Sequence, residues 1–163
     1  KEMNSLYNHP KIKTMVSFTH GEGFGRPLLE ATMVGLPVLA SAWSGQLDFL
    51  DEEKSILIGG NIDKVPESQV WEDIIIKESQ WFNIDENQAY KMLNYTFENK
   101  YELVNKAKSL MRINREKFTL NKMAEKLDEI MEKYLKDMPS QVSIKLPKLK
   151  KSKPKLPKLE ETV

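Results

Sequence analysis

Residues 12–41 constrain this chain more than any other stretch. "IKTMVSF" (Ile12 to Phe18) is short, rich in β-branched and aromatic side chains, and followed by Gly21, Gly23 and Gly25, so we read a largely buried strand running into a glycine turn. Pro27 suits the first turn of a helix, where its missing N–H costs nothing, and Leu28 to Val34 continues that helix until Gly35. "PVLAS" (Pro37 to Ser41) follows at once as a second strand. After the loop "AWSG" we expect a short helix near Gln46 to Leu50, then a third strand in "SILIGG" from Ser55. Such alternation predicts an α/β fold with a Rossmann-like parallel sheet and crossover helices.

Beyond it the reading is less uniform. Residues 61–83 lose all periodicity despite Trp71, "DIIIK" and "SQWF", and are left unassigned. Asp85 and Gln88 form a capping box for a helix whose inner face would carry Ala89, Met92, Leu93 and Phe97. Leu103, Ala107 and Leu110 recur at helical spacing, as do Met123, Leu127, Ile130 and Tyr134 after a Thr119 cap. From Met138 onward, KLPKL occurs twice, and proline with lysine self-repulsion opposes collapse. The expected organisation is a partial Rossmann-like domain with C-terminal helices over 1–137 and a disordered Lys/Pro-rich tail over 138–163.

Charge separates the same two parts. Residues 138–163 hold seven Lys and two Glu, a net +5, whereas the remainder holds 18 basic and 22 acidic side chains, a net −4. Nucleic acid is therefore not the expected partner of the folded part. With no cysteine, neither a disulfide framework nor a thiolate metal site can form; with only His9 and His20, no closed zinc site is expected either. No apolar run approaches the roughly 20 residues that span a bilayer, and the start lacks the features of a signal peptide, so cytoplasm is the default expectation. The chain begins at Lys1, with a helical turn leading almost directly into an apolar strand, and reads as a piece of a longer protein.

Chemistry concentrates in "THGEGFGRPLLEATMVG". At the carboxyl end of a parallel strand, glycines let the backbone approach a ligand, while the free amides and dipole of the next helix attract an anion such as phosphate. Glu22 falls in the turn and Glu30 about one turn into the helix, so two carboxylates flank the amides. Carboxylates accept hydrogen bonds from hydroxyls, which suits a ligand bearing hydroxylated rings on both sides of its phosphates, as a nucleotide sugar does. Arg26, a cation in the first helical turn, opposes the dipole by about 0.3–1 kcal/mol and is easier to understand with an anion nearby, either Glu30 at i,i+4 or a bound phosphate. Ser17, His20 and Asp48 do not form a triad, because Ser17 lies within a strand. Trp43, Trp71 and Trp81 could stack on sugar rings, but packing is the simpler expectation.

"EGFGRPLLE", Glu22 to Glu30, matches the Glu, seven residues, Glu signature of retaining glycosyltransferases of family 4, and "EATMVGLPVLAS" with "SGQLDFL" resembles its continuation. The resemblance spans about Leu6 to Leu50, and extends to about Leu135 in general layout. It implies the later part of the second, donor-binding domain of a GT-B fold, with an N-terminal domain missing. It further implies glycosyl transfer from a nucleotide diphosphate sugar to an acceptor glycan, lipid or other hydroxyl compound, with retention and with no metal or other cofactor. On that resemblance Glu22 would hold hydroxyls of the transferred sugar. Gly23, Phe24 and Gly25 would offer backbone contacts, Leu28 and Leu29 helix-start amides to the diphosphate, and Glu30 ribose contacts, with Arg26 beside them. His20, where the family often has Ser, would be a neighbouring acid, base or polarising group, or simply a local hydrogen-bonding one. The family's diphosphate-gripping Arg and Lys have no match before His20, so this chain alone is expected to transfer little sugar. The rival readings are a non-catalytic Rossmann-type nucleotide-binding module, and an adaptor whose basic tail makes weak contact with an anionic membrane surface at about 1 kcal/mol per lysine. A plain linker is the simplest role for that tail.

Overall fold

A computed structural model describes residues 2–135. Contacts divide the chain into two compact units, residues 1–124 and residues 125–163.

The first unit is α/β. Helix α1 (Glu2–Tyr7) leads into strand β1 (Met15–Ser17), helix α2 (Arg26–Met33) and strand β2 (Val38–Ser41). A single 3-10 turn, Gly45–Asp48, then precedes strand β3 (Ile56–Ile58). The three strands form a parallel sheet in the order β1-β2-β3, with Ser17 opposite Ala40 and Ala40 opposite Leu57. The expected strand–turn–helix–strand–strand order is therefore present, with each strand shorter than its apolar run, but β1, expected to be largely buried, is only half-buried with Val16 exposed, as an edge strand of the sheet. Every residue of β2 is buried, as a central parallel strand requires.

Local chemistry sets the ends of α2. Pro27 occupies the first turn, and Gly35 adopts a left-handed φ of 73° just past the end. The Leu36 amide donates to the Ala31 carbonyl at 3.1 Å and the Gly35 amide to Thr32 at 3.0 Å, closing the orphan carbonyls in a Schellman arrangement. Leu28 and Ala31 point into the main core with Tyr7, Leu36, Val38, Phe49 and Leu110. Each fully buried Leu of this kind contributes roughly 1.5–3 kcal/mol.

Residues 61–83, left unassigned above, are an antiparallel ribbon. Strand β4 (Gly60–Lys64) pairs with strand β5 (Gln80–Ile84), and residues 65–79 form the long connection between them. The ribbon buries only Val65 and Phe82 and carries exposed Ile62, Trp71, Ile74 and Ile76, which is why no hydrophobic period shows in its sequence.

Helix α3 (Glu86–Glu98) is capped by Asp85, whose side chain accepts from the Gln88 amide at 3.0 Å. The reciprocal half of the box is not made. The Gln88 side chain accepts instead from the Gly59 amide at 2.7 Å, tying the helix start to the end of β3. Its buried positions are Ala89 and Thr96 with Met92 half-buried, whereas Leu93 is exposed and Phe97 is 85% exposed. The expected apolar face is thus rotated, because the Thr96 hydroxyl can be buried once it donates to the Met92 carbonyl at 2.7 Å.

Helix α4 (Lys100–Lys117) buries Leu103, Ala107 and Leu110 as expected, and also Asn114 at 1% exposure. The Asn114 amide donates to Thr32 Oγ1 at 2.9 Å and to the Phe49 carbonyl at 3.1 Å, joining α4 to α2 and to the loop beyond β2.

Helix α5 (Leu120–Leu135) starts at the end of the first unit, with Thr119 Oγ1 accepting from the Lys122 amide at 3.1 Å. The second unit contributes described residues 125–135, all within α5. Met123, Leu127, Ile130 and Tyr134 share one face of the helix, and all are exposed. The expected boundary at 137/138 and the disordered tail over 138–163 lie outside the described residues. Among the described residues no helix is long and apolar enough to cross a membrane.

Candidate functional site

β1 ends at Ser17, and residues 18–25 carry the chain to the start of α2 with no regular structure. Because β1 and β2 are adjacent and parallel, the loops after them emerge side by side. The second loop grips the first. Ser44 Oγ donates to the Glu22 carbonyl at 2.6 Å and accepts from the Glu22 amide at 3.2 Å, while the Gly45 amide donates to the same carbonyl at 3.1 Å. Ser44 holds φ 75° and ψ −159°, a region nearly reserved for glycine that costs about 1–3 kcal/mol for other residues, and its two hydrogen bonds with the Glu22 backbone over-determine it. One layer below, the buried Gln46 side chain donates to Ser41, and Ser41 donates to the Thr19 carbonyl. Nothing in the sequence marks Ser44 and Gly45 for this role, since their partner Glu22 lies more than 20 positions upstream.

The seated turn presents amides. α2 has no side-chain cap at its N-terminus, and its N-cap, Gly25, is left-handed at φ 82°. A Cβ at Gly25 would already press within 3.3 Å of Gln46, so glycine is required there on both counts. The Leu28 and Leu29 amides both donate to the Gly25 carbonyl, at 3.0 and 3.1 Å, and are engaged within the helix. Those of Gly23, Phe24, Gly25 and Arg26 donate to no acceptor among the described residues, and Pro27 has no N–H. Four successive backbone donors without an internal acceptor at the positive end of a helix are available to an anion. The free amides therefore precede Leu28 and Leu29, the residues to which the family pattern points.

The other expected residues lie on the same turn and the first turns of α2. The Glu22 carboxylate is half-buried and makes no hydrogen bond or ion pair among the described residues. Glu30 is half-buried too, and its Oε1 accepts from Arg26 Nε at 2.9 Å; this bond, then the charge of Glu30, raises the already high Arg26 pKa. Arg26 thus has an anion beside it within the protein. Phe24 turns its ring away from the amides onto Phe49 and Phe118, with centroids 5.3 and 6.0 Å distant.

His20 is exposed and clamped by the ribbon. Its ring stacks on Trp81 at 4.0 Å with an interplanar angle of 5°, and Nδ1 lies 2.8 Å from the Phe82 carbonyl. A carbonyl only accepts, so Nδ1 carries the proton and the neutral ring keeps its lone pair on Nε2. The Phe82 amide returns a bond to the His20 carbonyl at 3.2 Å. Trp43 stacks on Phe82 at 5.7 Å and remains 39% exposed, while Trp71 is 64% exposed, so packing accounts for Trp81 and partly for Trp43, and not for Trp71. Among the described residues no three of His, Asp and Glu come together as a metal site would need. The chain matches no protein-family model and no curated protein sequence.

Proposed function

We propose that this chain is the donor-binding part of a retaining, nucleotide-sugar-dependent glycosyltransferase of the GT-B type, using the turn from His20 to Glu30. The observation that carries the reading is the run of four unpaired amides at Gly23, Phe24, Gly25 and Arg26 between two carboxylates, which is what a diphosphate with a hydroxylated ring at either end would use. In this reading the amides donate to the diphosphate oxygens at the positive end of α2. The Glu22 carboxylate, free of internal partners, takes hydroxyls of the transferred sugar, and Glu30 takes the ribose diol on the oxygen that Arg26 leaves open. As the bond from the anomeric carbon to the diphosphate oxygen breaks and one to the acceptor oxygen forms, the acceptor's hydroxyl proton passes to the departing diphosphate, on which negative charge grows. Fixed donors aimed at that charge supply the main catalytic effect. His20, with Nε2 unprotonated in its neutral form, is a hydrogen-bond acceptor beside the sugar position.

Calorimetric titration of the full chain with uridine, guanosine and adenosine diphosphates tests this. At least one should bind, and Glu30→Gln should weaken it by about tenfold or more, the equivalent of losing one charge-assisted hydrogen bond of about 1.5–3 kcal/mol. Equal affinity in the variant removes Glu30 from the ribose role. No binding of any diphosphate at millimolar concentration removes the donor site altogether.

A further inference from the structure

Tyr7, the last residue of α1, is only 7% exposed and belongs to the main core, in contact with the same cluster as Leu28 and Ala31 of α2. Its hydroxyl is fully buried and makes no hydrogen bond of ordinary geometry. Buried hydroxyls rarely stay unpartnered, so this one needs an explanation. Glu30 supplies a carboxylate to the cavity that Tyr7 also lines. Tyr7 and Glu30, with Asn4, Met33 and Val34, line one cavity of about 190 Å³. Burial first, and then the charge of Glu30 and a loose contact with its oxygens, push the Tyr7 phenol above its usual pKa, with Arg26 opposing.

We infer that Tyr7 is a positioning residue for Glu30, its core-held phenol anchoring the carboxylate from the protein side while Arg26 holds it from the solvent side. The two anchors differ physically. The Arg26 side chain is 83% exposed, so its ion pair is screened and fluctuating. The Tyr7 ring is fixed by packing and has little freedom left to lose. A carboxylate has about four lone-pair sites, enough for a phenol, a guanidinium and a ligand diol at once. Orientation of the diol-accepting oxygen thus depends on a residue more than 20 positions upstream that never touches the ligand. This inference rests on the donor reading for its ligand, and for its anchor on the buried, unpartnered Tyr7 hydroxyl and the cavity it shares with Glu30.

The two dependencies separate experimentally. In the full chain labelled with ¹³Cζ-tyrosine, the Tyr7 resonance is identified by its loss in Tyr7→Phe, which keeps the ring and the core. Tyr7 should titrate above its usual value, and Glu30→Gln should lower its midpoint; an unchanged midpoint overturns the anchor whether or not any nucleotide binds. Calorimetry then compares the nucleoside diphosphate that binds with its 2′,3′-dideoxy analogue. Tyr7→Phe should weaken the diol-bearing ligand about fivefold and leave the dideoxy ligand unchanged. Equal weakening of both, or of neither, overturns the positioning role and leaves Tyr7 as core packing. If the unsubstituted chain binds neither ligand, the donor reading fails, the positioning role fails with it, and the titration still decides the anchor.

Discussion

Replacing Gly45 with alanine tests whether the amide-bearing turn is seated by direct backbone contact with the loop after β2. A Cβ at Gly45 would lie 2.7 Å from the Gly23 carbonyl carbon and 2.9 Å from Phe24 Cα, and closer still to the Gly23 oxygen. All three are backbone atoms, so no rotamer change relieves the overlap. The loops must part by roughly an ångström to reach ordinary contact at about 3.5–4.0 Å. Overpacking of this kind costs about 1–3 kcal/mol. Parting also strains the 3.1 Å bond from the Gly45 amide to Glu22 and the Ser44 clasp, at about 1 kcal/mol for each bond lost. The expected loss is about 2–5 kcal/mol, a fall of roughly 8–20 °C in thermal midpoint by circular dichroism for a unit of this size. Gly23→Ala is the control. It sits on the same turn, yet a Cβ there meets nothing within 4 Å, so its stability should stay within about 0.5 kcal/mol of the unsubstituted chain. The added methyl should still hinder a ligand at the amides. If Gly45→Ala melts with the unsubstituted chain, or Gly23→Ala falls as far as Gly45→Ala, the proposed seating of the turn is wrong.

Asn114→Ala should destabilise the first unit by about 2–4 kcal/mol, since it opens a cavity and strips the Thr32 hydroxyl and Phe49 carbonyl of a buried donor; a urea midpoint unchanged at constant slope would refute that network. Asp51 is held below the usual carboxylate range, first by the hydrogen bond from Lys54 at 2.9 Å; burial opposes this next, and the Glu53 amide and the Lys54 charge add to the lowering. Its folded pKa is depressed, so its contribution is present above about pH 4 and is lost as pH falls through the lowered value; it is small because the pair is partly exposed. Asp51→Asn should flatten the acid limb of stability against pH, and identical limbs would dismiss the pair.

What could be read from the sequence alone is what short-range chemistry specifies. The strand, glycine turn and helix from Met15 to Met33, the stop at Gly35, the caps at Asp85 and Thr119, and the buried row of Leu103, Ala107 and Leu110 all follow from propensities and spacings within a few residues. So did the neighbourhood of the site, because the end of a parallel strand and the start of its helix are adjacent in the chain. Periodicity identifies an apolar face without saying what meets it, which is why Phe97 is exposed while Thr96, with a local acceptor, is buried. The ribbon escaped notice because its pairing depends on a register between residues 60–64 and 80–84 and not on a buried face. Only tertiary structure decided which amides are free, which side chain holds Glu22 in place, which tautomer His20 adopts and what lies behind Glu30. Each depends on groups about 20 to 60 residues apart in sequence that meet only in the folded chain, through adjacent strand-end loops, the antiparallel ribbon or the packing of α1 by α2. No local propensity encodes such contacts, since their free energy appears only after the core has formed.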